Sequence, residues 1–253
     1  VVGTPVDKRV LSSAALSKHY RSSGFWPEPT SATNLRVPPG AVEIAGNLFE
    51  LTSNTDLGVE VSGNFLLGAR TSNVWVYVIA ANIGGGIRFG LTTSVPSAMT
   101  IVASATSGST GRLQYRTISG NEYRYLGAHR LVASGNLLQG RRHGNTFWYA
   151  SQHSMLALGT STSRTSVAFA ARVPPTSRHA MATAFTAGTG GSVSAVYENG
   201  VTGGGYFFSR TTSISQDYGI MNLPLSSAQK LDYKQDKTSL SLDAVAYIET
   251  ELD

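Results

Sequence analysis

The stretch Val74-Trp75-Val76-Tyr77-Val78-Ile79-Ala80 decides the fold class of this chain. It is a continuous run of β-branched, aromatic and small apolar residues, and Asn82 and Gly84-Gly85-Gly86 end it. Such residues pack well on a pleated surface. A short run without polar alternation is typical of a strand that is buried on both faces. The stretch therefore predicts a strand at the centre of its sheet.

Further strand signals recur on both sides of this run. Residues 41–44 and 48–51 flank Gly46-Asn47, a pair that is typical of a hairpin turn. The remaining expected strands are separated by turn residues and lie at 87–91, 113–118, 122–130, 145–150, 166–172, 193–197, 206–209, 230–233 and 240–248. In the last of them the apolar phase slips, which predicts a β-bulge near Asp243. Strands at this spacing match a sandwich or barrel architecture, and the fold class we expect is two β-sandwich or jelly-roll-like units.

The composition also favours an all-β chain. Charged residues make up 14% of the 253 residues, roughly half the usual globular share, and the chain holds 27 glycines. Long surface helices carry paired charges and few glycines, and this chain offers almost no such segment. No apolar run approaches the roughly 20 residues of a membrane-spanning helix. We expect an all-β protein without membrane insertion.

The sequence divides into three segments. Residues 1–35 lack strand periodicity and carry three prolines, so we interpret them as an irregular N-terminal arm or attachment segment. Residues 36–160 are the expected first β domain and residues 161–253 the second β-sandwich domain, because a Ser- and Thr-rich stretch around residue 160 indicates a boundary. The sequence begins at Val1 rather than Met, which we interpret as processing or trimming.

Two aromatic residues of the arm are candidates for an assembly anchor. Phe25 and Trp26 stand directly before the helix-breaking Pro27. Large aromatic side chains contribute much apolar area to an interface. The pair would suit packing on a neighbouring subunit, and packing on its own domain is the alternative.

The positive charge is concentrated in the middle of the chain. Residues 61–160 hold eight arginines against one acid, a net charge of +7, whereas residues 161–253 hold seven basic and eight acidic residues. Arg116 and Arg124 flank the turn signal Ser119-Gly120-Asn121, so a hairpin would bring two like charges close. We expect an anionic partner there, either the acidic C-terminal section of a neighbouring subunit or a cell-surface polysaccharide. Arginines that solvate one sheet face are the alternative.

Residues 141–149 form the best candidate ligand surface of the sequence. Arg141 and Arg142 stand a few residues before Trp148 and Tyr149, and cations beside aromatic rings suit glycan or anionic ligands. Neighbouring residues of a strand point to opposite faces, so at least one of the adjacent rings must point inward. Core packing is therefore the alternative for these aromatic residues.

The sequence carries no recognisable catalytic motif. The absence of cysteine excludes disulfides, zinc–thiolate sites and cysteine nucleophiles. The five histidines show no metal-binding pair at i, i+4, and Gly-x-Ser-x-Gly is absent. Despite a sequence pI near 9.5, the lysines are few and scattered, which argues against nucleic-acid binding. We expect no enzymatic activity, no cofactor and no metal site.

Four segments carry a resemblance to tailed-bacteriophage tail-fibre and tail-associated virion structural proteins. They are, in chain order, Arg36-Val37-Pro38-Pro39-Gly40, the run at residues 74–80, Tyr123-Arg124-Tyr125-Leu126-Gly127-Ala128 and Ser134-Gly135-Asn136. In that pattern a Trp- and Tyr-rich strand leads through a proline-containing loop, here Ser94-Val95-Pro96, to a Tyr-Arg strand and a Ser-Gly-Asn turn. The resemblance covers about residues 36–151.

The resemblance implies a structural component of a phage virion, such as a tail-fibre, tail-tip or receptor-binding protein that mediates assembly or host attachment. It implies a homo-oligomer, above all a homotrimer, whose N-terminal arm contacts other virion proteins. The implied location is the extracellular particle, assembled in the host cytoplasm. A capsid decoration or head-fibre protein, or a carbohydrate-binding β-sandwich module, is the alternative. An obligate multimer favours the first reading, and a monomer that binds free glycans favours the module.

Overall fold

The computed structural model describes residues 26–44, 47–96, 100–103, 114–118, 121–187, 193–200, 206–209, 217–235 and 239–249. Most of these residues lie in β-strands, and a short 3-10 turn is present at Ser62–Asn64. The strands form two compact units, and the division falls between Asn145 and Thr146. The all-β fold class predicted from the sequence is confirmed.

The first unit is built around a six-stranded sheet. Its described strands are β1 (Glu28–Pro29), β2 (Asn34–Val37), β3 (Gly40–Ile44), β4 (Asn47–Leu51), β5 (Thr55–Gly58), β6 (Phe65–Leu67), β7 (Trp75–Ile83), β8 (Gly86–Thr92), β9 (Thr100–Ala103), β10 (Gln114–Ile118), β11 (Asn121–Arg130) and β12 (Gly140–His143). The six-stranded sheet has the order β6-β8-β7-β11-β10-β9. A three-stranded sheet has the order β1-β2-β5, and β3 pairs with β4.

Strand β7 is buried on both faces and lies inside its sheet, as its sequence predicts. Every residue from Trp75 to Ala81 is buried. Val76 and Val78 point into the main core of the unit, whereas Ile79 and Ala81 form a second apolar cluster with Tyr123 on the other face. Both β8 and β11 pair with this strand, so its backbone groups are hydrogen-bonded along both edges.

The main core of the first unit lies between the six-stranded sheet and the β3–β4 hairpin. Val42, Ile44 and Phe49 of the hairpin are buried in one cluster with Val76 and Val78 of β7. The predicted β3–β4 hairpin is confirmed, and Ile44 pairs with Asn47, so Asn47 is a strand residue rather than a turn residue. Gly46, the other residue of the predicted turn pair, lies outside the described residues.

The second unit consists of two four-stranded antiparallel sheets. Its strands are β13 (Thr146–Gly159), β14 (Thr165–Ala168), β15 (Ser177–Ala187), β16 (Val193–Glu198), β17 (Tyr206–Ser209), β18 (Asp217–Pro224), β19 (Lys230–Gln235) and β20 (Ser239–Glu249). Four of these strands, in the order β13-β20-β15-β18, belong to one sheet, and this four-stranded part is called the β20 sheet below. The other has the order β14-β19-β16-β17 and is called the β19 sheet.

These strand orders define an eight-stranded jelly roll. The chain crosses between the sheets after β13, β14 and β15, stays in the β19 sheet from β16 to β17, and then crosses again before each later strand. Two Greek keys wrapped around one core give this arrangement. The second unit is thus one of the β-sandwich or jelly-roll-like units that the sequence predicts.

Buried side chains from both sheets fill the jelly roll. Phe147 and Tyr247 of the β20 sheet pair directly and stack at 5.2 Å between ring centroids. Tyr233 of the β19 sheet lies so close to Gly159 that a Cβ at Gly159 would be 2.7 Å from the tyrosine ring. A glycine is needed at this position because real Cβ atoms do not approach other atoms so closely.

The structure differs from the expected segment boundaries in two places. Residues 28–29 and 34–37 already form β1 and β2, and Leu35 is buried in the core of the first unit, so the arm expected over residues 1–35 is partly strand. Residues 1–25 lie outside the described residues. The units divide at 145/146 rather than at 160/161, because β13 runs unbroken to Gly159 and pairs with β20.

The sequence does not predict every strand that the structure contains. Strands β15 and β18 were not expected, and together they supply half of the β20 sheet. The bulge expected near Asp243 occurs at Val245, where the pairing between β15 and β20 skips one residue. A bulge bends its strand and strengthens the local twist, which helps a sheet to wrap around a core.

Candidate functional site

The candidate assembly anchor is described in part. Trp26 is half-buried, and Phe25 lies outside the described residues. The neighbouring Pro27 is buried, and its carbonyl oxygen accepts a hydrogen bond from Nε2 of His129 at 3.1 Å. This segment is therefore held against strand β11 of the first unit, which agrees with the alternative of packing on its own domain.

His129 is fully buried in β11 beside Arg142. Burial lowers the pKa of His129 well below its ordinary value, and the positive charge of Arg142 lowers it further. The hydrogen bond to Pro27 acts in the opposite direction and raises the pKa. The imidazole is thus neutral at physiological pH and serves as a donor that fastens residue 27 to the sheet.

The first unit is expected to lose stability as the pH falls below about 6.5, where the histidine of the unfolded chain gains a proton. The pKa of His129 is lower in the folded protein than in the unfolded chain. The neutral imidazole therefore contributes its full share to stability at a pH above the unfolded pKa, and this share declines as the pH falls towards the folded pKa. One such group changes the free energy of unfolding by at most about 1.4 kcal/mol for each pH unit. Hydrogen exchange of β11 between pH 7.5 and pH 5 measures it.

His129→Gln is the matched variant for this pH dependence. The glutamine amide can still donate a hydrogen bond but does not titrate, so the variant is expected to show a flatter pH profile than the parent. Equal slopes for both proteins over this range would rule out His129 as the source of the effect.

Arg116 and Arg124 do not stand opposite each other across the β10–β11 hairpin. The register pairs Arg116 with Tyr123, so Arg124 is one position further along β11, where it pairs with Ala80 of β7. Neighbouring residues of a strand point to opposite faces, so Arg124 and Tyr123 lie on different faces of the sheet. The side chain of Arg116 lies outside the described residues, and that of Arg124 is half-buried.

Arg141 and Arg142 are adjacent in sequence but occupy different environments. Arg141 is exposed, whereas Arg142 is 9% exposed and donates from Nη2 to the carbonyl oxygen of Ala128 at 3.3 Å. The guanidinium also lies against Gly127, whose φ is +148°, and a Cβ there would be 2.8 Å from Nη2. Arg142 is thus packed within the first unit, and of this pair Arg141 is the one that solvent reaches.

Trp148 and Tyr149 lie near the start of strand β13 of the second unit and point in different directions. Trp148 is 38% exposed. Tyr149 is half-buried, donates its hydroxyl to the carbonyl oxygen of Arg172, and packs edge-on against His153 at 4.9 Å. Burial, and next the charge of Arg172, lower the pKa of His153. One ring is therefore internal and one is available at the surface, as strand alternation requires.

The sequence candidates do not form one described site. Arg141 and Arg142 belong to the first unit, and Trp148 and Tyr149 belong to the second. Of these four residues, the two that are exposed, Arg141 and Trp148, are the ones able to contact a partner directly.

A surface that the sequence analysis missed covers the outer side of the β20 sheet. Strand pairing and alternating burial place side chains of all four strands on its outer side, where the polar Thr146, Ser154 and Ser241 lie beside larger apolar residues. We call this surface the apolar face, and its residues are Trp148, His179, Met181, Thr183, Phe185, Ile220, Asn222, Asp243, Ala246 and Ile248. Among them, Asp243 alone carries a formal charge at neutral pH.

The outer side of the β19 sheet has a different character. Lys230 and Lys234 are exposed there, and Asp232 between them accepts hydrogen bonds from Ser166 at 2.7 Å and Asn199 at 2.7 Å. Burial raises the pKa of Asp232, but these bonds, a backbone bond from residue 200 and a nearby arginine together lower it below its ordinary value. This side resembles an ordinary solvated sheet face.

No group of three or more His, Asp or Glu side chains among the described residues is arranged to hold a metal ion. No helix in the described part of the chain is long and apolar enough to cross a membrane. The features that stand out chemically are the apolar face and the exposed cation Arg141.

Comparison with known proteins adds little to this picture. No protein-family model and no curated protein matches the chain. Among solved structures, the chain is similar to a Bacillus thuringiensis Cry1Da tryptic core variant, with 10% sequence identity and a TM-score of 0.19 over 97% of this chain and 57% of that chain. The chain thus spans less than two thirds of that protein, and a score this low does not indicate a shared fold.

Proposed function

We propose that this chain is a structural component of a phage virion, namely a tail-fibre, tail-tip or receptor-binding protein that acts as a homo-oligomer, most simply a homotrimer. In this role it mediates assembly or host attachment and performs no catalysis. It needs no cofactor, and it resides in the assembled particle outside the host cell.

The observation that carries the proposal is the jelly-roll order of the second unit. The eight strands β13 to β20 form two sheets with the strand order of a jelly roll, a fold that is common in viral capsid and lectin domains. Folds of this kind serve many functions, so the setting in a phage tail rests on the segments at residues 36–151 that resemble tail-fibre proteins.

The chain has features that suit a structural and attachment role. Its cores are formed by extended strands in both units, and such sheets give a rigid scaffold. Residues 61–160 carry a net charge of +7, and Arg141 in that region is exposed. An exposed guanidinium can form charge-assisted hydrogen bonds with the carboxylate or phosphate groups of a host polysaccharide. In this proposal the N-terminal segment faces other virion proteins.

Labelling of intact particles tests the proposal. Gold-coupled antibodies raised against the purified chain are expected to bind gradient-purified particles of the phage that encodes it, at the tail. Particles of an unrelated phage are the control. Label on the head would favour the decoration or head-fibre alternative, and protein present in the infected cell but absent from purified particles would overturn the proposal.

The carbohydrate-binding module remains the second candidate because lectins also use the jelly roll and because Trp148 is 38% exposed. Aromatic rings at a surface are suitable platforms for sugar rings. A monomer that binds free glycans on an array, and loses this binding in Trp148→Ala, would favour the module over the fibre protein.

A further inference from the structure

We propose that copies of this chain associate through the apolar face of the second unit. The occupant of the face is the same face of neighbouring copies, arranged around a symmetry axis. This inference rests on the proposed homo-oligomer and assigns the surface that forms it.

Strand β15 places its small side chains inside the jelly roll and its larger apolar side chains outside, which is the reverse of the pattern expected for a sheet that faces solvent. Its alanines Ala180, Ala182 and Ala184 are buried inside the jelly roll. The larger apolar residues Met181 and Phe185 alternate with them and lie on the outer side. In a monomer the large apolar residues of a strand belong inside, because burial of each stabilises the fold by about 1.5–3 kcal/mol. The pattern indicates that the outer side is also covered.

The neighbouring strands continue this apolar surface. Ile220 of β18 is 62% exposed and lies in the same row as Thr183 and Asp243. Trp148 of β13 is 38% exposed and pairs with Ala246, which in turn pairs with Met181. Exposed apolar side chains that are contiguous across a sheet mark interaction surfaces, whereas isolated ones do not.

The size of the apolar face fits an interface between subunits. Strands lie about 4.8 Å apart and same-face side chains recur about every 6.8 Å, so four strands and four rows cover roughly 500 Å² in projection. The accessible area of a corrugated face exceeds its projection. A stable interface buries about 800 Å² per partner, so the face supplies most of that area.

The charge distribution favours a second copy as the occupant. The apolar face itself carries one formal charge, at Asp243, and the exposed Arg178 of β15 lies at its edge beside His179, whereas the outer side of the β19 sheet presents Lys230, Lys234 and Asp232. A partner that covers the apolar face therefore needs few charged residues of its own. The same face of a second copy has few charged residues. Interface cores between like subunits are depleted of charge in the same way, with Trp, Phe and Met enriched.

The test compares the full chain with variants that place charge on each sheet. Met181→Lys/Ile220→Lys puts two cations on the apolar face, and Ile220→Lys alone changes a side chain that is already 62% exposed, so it does not disturb the fold. Ala168→Lys, on the exposed outer side of the β19 sheet, is the matched control. Light scattering after size-exclusion chromatography gives the mass, and far-ultraviolet circular dichroism confirms folding.

We expect the parent and Ala168→Lys to be oligomers of equal mass. The single variant is expected to associate about thirtyfold or more weakly, and the double variant to be monomeric at micromolar concentration. A parent oligomer that both variants leave unchanged would overturn the assignment of this face but not the homo-oligomer. A parent that is monomeric at every concentration would overturn both.

Discussion

Replacement of Tyr247 by alanine is expected to lower the free energy of unfolding of the second unit by about 3–5 kcal/mol. Tyr247 is 1% exposed, and its ring lies 5.2 Å from that of Phe147 and 5.9 Å from that of Tyr149. Removal of the ring leaves a cavity between these aromatic residues and forfeits their contacts. Urea unfolding monitored by hydrogen exchange of β13 and β20 measures the loss.

Tyr197→Ala provides the matched control for this prediction. Tyr197 is a half-buried tyrosine of the β19 sheet, and Arg164 lies over its ring at 3.8 Å. Loss of a ring at the outer side of a sheet and of one cation–π contact is expected to cost on the order of 1 kcal/mol. Equal losses for Tyr247→Ala and Tyr197→Ala would contradict the placement of Tyr247 in the core.

The second large effect is expected when an acid is placed at either of two successive residues of β7. Val78→Asp and Ile79→Asp are each expected to leave the first unit largely unfolded, because each buries a carboxylate at a position that is 0% exposed. An unpaired buried charge costs several kcal/mol, a large part of the 5–15 kcal/mol that stabilises a typical domain. Hydrogen exchange of β7 and β8 monitors the unfolding.

Arg88→Asp on the neighbouring strand β8 is the control for both acid substitutions. Arg88 is exposed, and it donates a hydrogen bond to the carbonyl oxygen of residue 63. Apart from the loss of this bond, an acid at position 88 is expected to lower the free energy of unfolding by less than about 1 kcal/mol. In a strand with one solvated face, one of the two β7 variants would be tolerated. Tolerance of either Val78→Asp or Ile79→Asp would contradict burial of this strand on both faces.

The sequence was sufficient to predict the elements whose apolar residues form a local signal. The run from Val74 to Ala80 predicts β7 and its burial because every residue in it is apolar. The β3–β4 hairpin follows from two short apolar runs around a turn pair, although the register makes Asn47 of that pair a strand residue. These features depend on neighbours along the chain, which a sequence displays directly.

Strands β15 and β18 were missed for a physical reason. In β15, the buried positions hold Ala180, Ala182 and Ala184 between Ser177 and Thr186, and alanine has a low intrinsic preference for strands. In β18, Gly219, Asn222 and Pro224 interrupt the apolar pattern. Both strands are stabilised by pairing with distant partners, β20 and β15, rather than by local preference.

The apolar face could not be predicted for the same reason. Its residues come from four strands that are distant in sequence, and only the register brings Trp148, Met181 and Ile220 onto one surface. The candidate arginines show a second limit of prediction from sequence, namely that neighbouring residues of one type can differ in burial. Arg141 and Arg142 look equivalent in sequence, yet Arg141 is exposed and Arg142 is buried, with 9% of its surface exposed. The two side chains point to opposite faces of the strand, and the absence of a side chain at Gly127 leaves room for the guanidinium of Arg142 alone.

The mass of the intact chain in solution tests the central claim of a homo-oligomeric virion protein most directly. Light scattering at micromolar concentration is expected to give three times the chain mass of 26.7 kDa, and this value is expected to persist on dilution. A mass of 26.7 kDa at every concentration would contradict the claim.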